Sequence, residues 1–158
     1  MQTPRYYHGC GLLRNTILGS EYAHDIVVLG GLTDLSDSSL ALNSAEIYRS
    51  DLGQWTAGPD FPTSIFGMAM VQYSSDVIIA IGGNANGEGA SSSIYSLSKS
   101  DLSSWRLLGG TAPLVRQAHV AVVVPENTFF CVGDPVEDPD DPMLADEELI
   151  EEFTLVED

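Results

Sequence analysis

The residue types that carry catalytic or metal chemistry are sparse in this sequence. It contains three histidines and two cysteines, which are His8, His24, His119, Cys10 and Cys131. None of them forms a His-x-x-x-His or Cys-x-x-Cys motif, so a zinc site is not expected. Gly-x-Ser-x-Gly does not occur, and Gly87-Glu88-Gly89 lacks the third glycine of a dinucleotide-binding loop. We therefore predict no catalytic residue, no metal ligand and no cofactor.

The charge of the chain is strongly negative and concentrated at one end. The 158 residues include 23 Asp and Glu against 6 Lys and Arg, a formal net charge of −17. Residues 134–158 hold twelve of these acids and no base, and three Asp-Pro steps in this segment disfavour regular structure. We expect a disordered acidic tail there, or a short amphipathic helix over Leu144–Phe153. Nucleic acid is not an expected partner, because phosphate binding needs clustered Lys and Arg.

Hydropathy and cysteine content indicate a globular domain rather than a membrane or disulfide-rich protein. Hydrophobic residues make up 44% of the chain, which is close to the globular average. The longest apolar runs, such as Val77–Ile81 and Val120–Val124, are far too short to span a membrane. Residues 1–15 lack the uninterrupted apolar stretch of a secretory signal. These features predict a cytoplasmic protein without a membrane partner, with the nucleus as the alternative compartment.

An internal repeat of about fifty residues organises the rest of the chain. In each of two units, a Gly-Gly pair ends a β-rich run, a polar loop follows, and then come a tyrosine and a Ser-Asp-Leu-x-x-Trp segment. The repeated residues are Gly30, Gly31, Tyr48 and Trp55 in the first unit, and Gly82, Gly83, Tyr95 and Trp105 in the second. Short strand-like runs separated by turn residues in a fixed order are typical of repeated antiparallel sheets.

A further segment opens each unit. Arg5 and His8 are three residues apart in the first unit, and Arg116 and His119 keep that spacing in the third. The second unit has Ser64 and Gly67 at the positions we align with them. The third unit ends at Gly133 without a second glycine, a tyrosine or a tryptophan. We therefore divide the chain into repeats at residues 4–61, 62–112 and 113–133, the last one incomplete, followed by the tail at 134–158.

These motifs, in this order, resemble the repeats of the kelch family over residues 4–133. The resemblance implies an all-β fold, a partial kelch-type β-propeller of four-stranded antiparallel blades whose sheets restart near Tyr6, Phe66 and Gln117. It also implies a protein–protein interaction module rather than an enzyme, such as a fragment of a substrate-recognition adaptor or of an actin-binding propeller. The alternatives are a fragment of a propeller enzyme of the mutarotase or oxidase type, and a remnant without function.

The chemistry of the repeated residues predicts structural roles. The glycine pairs suit positive φ or close packing against the next blade, and the tryptophans supply apolar area between sheets. Each tyrosine can bury its ring while its hydroxyl finds a polar partner. Arg116 and His119, like Arg5 and His8, are expected to make polar contacts between blades.

Partner binding is expected in the polar loops, because loops carried by a rigid scaffold are where such modules bind. The candidate positions after the glycine pairs are Asp34, Asp37, Asn84, Asn86 and Glu88, and a third candidate loop is the insertion near Arg14–His24. We expect a protein partner there. A closed propeller needs 4–8 blades, so two and a half predict either a fragment of a longer propeller or self-association through exposed blade faces.

Overall fold

The fold of the protein, obtained as a computed structural model, is all-β. The structure describes residues 1–15, 23–86, 89–116, 118–124, 128–132 and 150–154. Within these ranges the chain forms strands and one 3-10 turn at Ser38–Leu40, and no α-helix. No segment in the described ranges is a helix long and apolar enough to cross a membrane. The all-β prediction is confirmed.

The first sheet is a four-stranded antiparallel meander whose strands follow one another in chain order. The strands are β1 (Gly9–Arg14), β2 (His24–Leu29), β3 (Ala45–Arg49) and β4 (Gln54–Ala57). In β1 the buried residues alternate with exposed or half-buried ones, as expected for a strand with one face in the core. The turn from β3 to β4 is tight because Gly53 adopts a φ of 65°.

The second sheet repeats this arrangement, and a two-stranded ladder stands at one of its ends. The elements from residue 65 to residue 116 are β5 (Ile65–Phe66), β6 (Ala69–Ser74), β7 (Val77–Ile81), β8 (Asn84–Ala85), β9 (Ser91–Ser98) and β10 (Asp101–Arg116). Strands β6, β7, β9 and β10 form the four-stranded antiparallel sheet, while β5 pairs with β8. Strand β7 is apolar along its whole length and buried from Ile78 onward, which fits a central strand covered on both faces.

The third sheet takes its last strand from the acidic tail. It consists of β11 (Val120–Val124), β12 (Thr128–Val132) and β13 (Ile150–Thr154), all antiparallel. Over Ile150–Thr154 the structure therefore differs from the disordered or helical tail that we expected. The physical reason is that an unpaired β12 edge would leave a row of amide and carbonyl groups without partners. The other residues of the tail lie outside the described ranges.

The three sheets stack face to face and enclose two separate hydrophobic cores. The first core lies between the first and second sheets and includes Leu13, Val27 and Ile47 on one side and Ile78, Leu97 and Trp105 on the other. The second core lies between the second and third sheets and includes Ile79, Ile81 and Ile94 against Ala121, Phe129 and Cys131. The middle sheet thus uses one face for each core, as strand alternation requires.

The three sheets restart close to the positions that the repeat predicts. Their first strands begin at Gly9, Ala69 and Val120, each three residues after Tyr6, Phe66 and Gln117. Two residues before each of these strands, the backbone is left-handed, with φ values of 52° at Tyr7, 66° at Gly67 and 55° at Ala118. This conformation is uncommon without glycine, and its recurrence aligns the three units residue by residue.

This alignment corrects one detail of the repeat. With Gly67 opposite Tyr7, the second-unit counterparts of Arg5 and His8 are Ile65 and Met68, not Ser64 and Gly67. Both residues are buried in the first core. Apolar packing therefore replaces, in the second unit, the polar residues that open the first and third units.

Candidate functional site

The Gly-Gly pairs end the second strand of the first two units in the same unusual conformation. The φ values are 62° and 96° at Gly30 and Gly31, and 65° and 89° at Gly82 and Gly83. Space is also restricted, because a Cβ on Gly31 would lie 2.6 Å from the Tyr6 carbonyl oxygen and one on Gly83 would lie 2.8 Å from the Met68 Cβ. Only glycine meets both conditions without strain, and the loops that follow leave the sheets in a fixed direction.

A buried ion pair fixes the N-terminal segment against the first sheet. The Arg5 guanidinium contacts the Glu46 carboxylate at 2.8 Å and donates to the carbonyls of Gly30 at 3.0 Å and Ser44 at 2.9 Å. Burial raises the pKa of Glu46, but hydrogen bonds from the amides of residues 2 and 3 and from Arg5 outweigh it and lower that pKa overall. Arg5 therefore binds within its own unit, rather than between blades as we expected.

The loop between β2 and β3 is ordered by its own acidic residues. The Asp34 carboxylate accepts hydrogen bonds from the Ser36 amide at 2.9 Å and hydroxyl at 2.7 Å. The Asp37 carboxylate accepts from the Ser39 amide at 2.9 Å and hydroxyl at 2.6 Å. These bonds lower the pKa of both carboxyl groups, which lie fully at the surface. Both carboxylates therefore face solvent in a fixed position, each with one oxygen free of these bonds.

Apolar side chains are exposed around these carboxylates. We use the name loop surface for the six residues Tyr6, Tyr7, Asp34, Leu35, Asp37 and Leu40. Tyr7 is 60% exposed and Leu35 is 56% exposed, and Tyr6 and Leu40 are also exposed. Tyr6 and Leu32 exchange two backbone hydrogen bonds of 2.8 Å, which bring the rings and the loop to the same end of the first sheet. Exposed aromatic rings beside fixed carboxylates suit recognition of a partner that carries both apolar and basic groups.

The loop of the second unit lies at the same end of the molecule. Asn86 has a φ of 55°, its amide donates to the Ser64 carbonyl at 2.8 Å, and its side chain accepts from the Thr63 hydroxyl at 3.1 Å. Next to Ser64, the Ile65 amide donates to the Leu42 carbonyl of the first loop at 3.0 Å. Asn84 is half-buried in β8, and Glu88 lies outside the described residues. The structure thus brings Asp34, Asp37, Asn84 and Asn86 to one end.

The third candidate loop lies at the opposite end of the first sheet. It connects β1 to β2, whereas the other loops follow the second strand of their sheet, so the antiparallel order separates the two groups. At its base, the Asn15 amide donates to the Ala23 carbonyl at 2.7 Å. Residues 16–22 are not among the described ones. The described ends of the third loop, Asn15 and Ala23, therefore lie away from the other two loops.

The repeated aromatic residues differ in burial between the two units. Trp105 is only 5% exposed, its ring centroid lies 5.5 Å from that of Phe61, and its indole Nε1 donates to the Pro59 carbonyl at 3.2 Å. Tyr95 packs on the same Phe61 ring, with a centroid distance of 4.5 Å. Trp55 and Tyr48 are half-buried and pack on each other at 5.4 Å. The difference arises because the first sheet covers the second, whereas no further sheet in the described ranges covers the first, against which only the segment around residues 2–5 lies.

The remaining two repeat positions lie around the start of the third sheet. Arg116 ends β10, where its backbone pairs with Ser91. His119 directly precedes β11 and is buried.

A polar cluster that sequence reasoning missed joins the first two sheets. We use the name Asp25 cluster for Asn15, Asp25, Arg49, Ser50, Asp51 and Lys99. The Asp25 side chain is almost completely buried and lies 3.2 Å from the Arg49 Nε and 3.1 Å from the Lys99 Nζ. It also accepts hydrogen bonds from the Asn15 side-chain amide (Nδ2) at 2.7 Å and from the Ser50 backbone amide at 2.9 Å. Because Lys99 lies in the turn that joins β9 to β10 of the second sheet, the cluster is an electrostatic contact between the first two sheets.

The sequence did contain a signal for this cluster. A basic residue precedes the Ser-Asp-Leu segment in both units, Arg49 in the first and Lys99 in the second. Both cations contact the same carboxylate, because Asp25 lies near the start of β2, directly before its apolar run and at the edge of the first core. Burial raises the pKa of Asp25, but hydrogen bonds from Ser50, Asn15 and Lys99 outweigh it, and the pKa is lowered overall.

Neither a family model nor a curated protein matches this chain. Among the described side chains, no group of three or more His, Cys, Asp or Glu residues is placed to hold a metal ion. A small cavity between the segment that follows β4 and the second sheet borders Phe61, Ile65 and Tyr95 and has a volume of about 40 Å³, which is room for a water molecule rather than an organic ligand. The candidate site is therefore the loop surface.

Proposed function

We propose that the chain is a protein-interaction module of the kelch-repeat type that binds a protein partner through the loop surface. The repeated sheets, the glycine pairs with matching positive φ and the stacking of one unit on the next support this assignment. The observation that carries it is the exposure of Leu35, on a loop whose backbone Asp34 and Asp37 fix, beside the exposed rings of Tyr6 and Tyr7. A rigid loop next to exposed rings loses little conformational entropy on binding.

The charge of the chain indicates the chemistry of the partner. Asp34 and Asp37 are fully exposed carboxylates that are ionised at neutral pH, as Asp side chains ordinarily are, and hydrogen bonds from Ser36 and Ser39 lower their pKa values further. The whole chain adds a net charge of −17 to the field that a partner meets. We therefore propose a partner whose binding segment combines Lys or Arg with apolar side chains. Cys10 is a free thiol, which supports a reducing compartment such as the cytoplasm.

Site-specific photo-crosslinking tests the proposed binding surface. A photoreactive residue replaces Leu35 on the loop surface or, as a matched control, Leu107 on the outer strand of the second sheet. Leu35 and Leu107 have almost the same exposure, 56% and 57%. In cells that contain the natural partner, we expect discrete crosslinked products from position 35 and far fewer from position 107. A second change, Tyr7→Ala, should reduce the yield from position 35 several-fold, because the exposed ring supplies contact area.

Two outcomes would contradict the proposal. Equal yields from positions 35 and 107 would mean that the loop surface has no preferred partner. A yield from position 35 that Tyr7→Ala leaves unchanged would mean that the rings beside the loop take no part in binding.

A further inference from the structure

The two outermost sheets each have apolar side chains on a face that no further sheet in the described ranges covers; on the first sheet, residues 2–5 lie only against the part of that face around Glu46. The open face of the first sheet carries Leu12, Ile26, Tyr48 and Trp55, which lie opposite one another across its four strands. Leu12 is exposed and the other three are half-buried. The open face of the third sheet carries Val120, Val122 and Val124, and Val120 is 65% exposed. Contiguous apolar faces of this kind mark interaction sites in soluble proteins.

The repeat shows what kind of surface each open face is. In the middle sheet, Ile78 and Trp105 point into the first core, and their first-sheet counterparts, Ile26 and Trp55, lie on the open face. The open face of the first sheet therefore corresponds to the face that the middle sheet packs against the first sheet.

The open face of the third sheet is of the opposite kind. Val71 and Tyr73 of the middle sheet pack against the second core, and their third-sheet counterparts are Val122 and Val124. Each of the first two sheets uses this face to contact the next sheet along the chain. On the third sheet the same face is open. The open faces of the third and first sheets therefore correspond to the two faces that pack against each other wherever neighbouring sheets meet in this chain.

A ladder of backbone hydrogen bonds runs across the three units, from the Tyr7 carbonyl to the Ala118 amide. The Gly67 amide donates to the Tyr7 carbonyl at 2.8 Å, and the Ala118 amide donates to the Gly67 carbonyl at 2.7 Å. These are the three left-handed residues that align the units. Within the described part of the chain, no hydrogen bond is assigned to the Tyr7 amide or the Ala118 carbonyl. One group is a donor at the first unit and the other is an acceptor at the third, so a further unit at either end would continue the ladder.

We propose that two copies of this chain assemble head to tail, with the third sheet of each copy packed on the first sheet of the other. Each Tyr7 amide then donates to the Ala118 carbonyl of the other copy. Closed rings of blades have 4–8 members. The described part of each copy supplies three stacked sheets, leaving aside the short β5–β8 ladder, so one, two or three copies give three, six or nine. Only two copies give a count within that range. An interface between unlike faces closes into a ring only at a fixed number of subunits, and here that number is two.

This assembly is distinct from the binding proposed above. It uses the faces of the sheets, whereas the loop surface lies at their ends and stays exposed in the ring. Each copy carries a net charge of −17, so repulsion opposes the assembly and salt should strengthen it by screening.

Two charge substitutions, one on each open face, test the geometry. Leu12→Asp alters the first sheet and Val122→Asp alters the third, and Leu107→Asp serves as a control on an exposed leucine of the middle sheet, outside both faces and outside the loop surface. Sedimentation equilibrium of the unaltered chain at 0.15 M salt or above should give twice the 16.9-kDa monomer mass without larger species. Each face variant should associate at least about tenfold more weakly, since a carboxylate is buried in both interfaces, and the control should behave like the unaltered chain.

Mixing the two face variants distinguishes the head-to-tail arrangement, in which unlike faces meet, from arrangements in which like faces meet. In a pair made of one Leu12→Asp copy and one Val122→Asp copy, one interface holds both changes and the other holds neither. The equimolar mixture should therefore regain much of the association that each variant lacks alone. The proposal is overturned if the unaltered chain stays monomeric, if its mass grows without limit, if one face variant alone pairs normally, or if the mixture is as weak as its parts. Circular dichroism of each variant, showing an unchanged β signal, confirms that weaker association does not come from unfolding.

Discussion

Replacing Trp105 with alanine should lower the free energy of unfolding by about 3–5 kcal/mol, the cost of removing a large ring from a packed core. The ring is 5% exposed and lies between the second sheet and the segment that follows β4, where it contacts Phe61 and donates to the Pro59 carbonyl. The loss combines transfer free energy, a cavity and an unpaired carbonyl. Urea denaturation at a protein concentration low enough to keep the chain monomeric measures it.

Trp55→Ala is the matched control for this prediction. Trp55 occupies the equivalent position one unit earlier, but it is half-buried on an open face. Its replacement should cost clearly less than that of Trp105. If Trp105→Ala leaves too little folded protein to measure, Trp105→Phe retains a ring and should give an intermediate loss. An equal effect of the two alanine substitutions would contradict the stacking of the first sheet on the second.

The second large effect is expected at Asp25. Asp25→Ala should cost about 3 kcal/mol or more, since breaking a buried ion pair leaves its partners uncompensated. Arg49 and Lys99 are partly exposed and can turn toward water, which places the effect at the lower end of the range for buried pairs. Asp76→Ala, in an exposed turn before β7, should change the stability by no more than about 0.5 kcal/mol.

The contribution of Asp25 should also depend on pH in a defined direction. The folded protein holds the pKa of Asp25 below its unfolded value, so its stabilisation is fully present above that unfolded value and is lost as the pH falls through the folded one. The stability difference between the unaltered chain and Asp25→Asn should therefore be constant near neutral pH and shrink below about pH 4. A difference that stays constant down to pH 2 would show that the carboxylate charge does not matter.

The sequence was sufficient to predict where the sheets begin, but not which side chains make contacts between them. Period-two alternation and the Gly-Gly and Ser-Asp-Leu-x-x-Trp segments repeat locally, so the restarts of the sheets could be predicted within a few residues. The Asp25 cluster could not, because it joins residues 15, 25 and 99 through stacking that no local pattern encodes. The opening segment of the second unit was aligned one residue early for a related reason, since Ile65 and Met68 replace polar residues with core residues.

The tail shows how a tertiary contact overrides a local pattern. Apolar residues at helical spacing over Leu144–Phe153 favoured a short helix or disorder, yet Ile150–Thr154 pairs with β12. Strand formation depends on the neighbouring edge more than on intrinsic preference. The candidate loops were predicted from their composition, while the exposed rings of Tyr6 and Tyr7 beside them became evident only from the pairing of Tyr6 with Leu32.

A ring of two copies would bind a partner with two binding segments more tightly than a single copy does. The twofold axis of such a ring places both loop surfaces on the same side. A partner with two binding segments could then engage both copies, and its affinity would rise through the high effective concentration of the second site.

Amide hydrogen exchange at Tyr7, Gly67 and Ala118 tests most directly the central claim, that the three units stack as equivalents and that a second copy continues the stack. In dilute protein, the amides of Gly67 and Ala118 should exchange slowly, because each donates to the unit before it, while the Tyr7 amide should exchange rapidly. At concentrations where the dimer forms, the Tyr7 amide should become protected. Rapid exchange at Gly67 and Ala118 would contradict the stacking, and a Tyr7 amide that still exchanges rapidly in the dimer would contradict the head-to-tail ring.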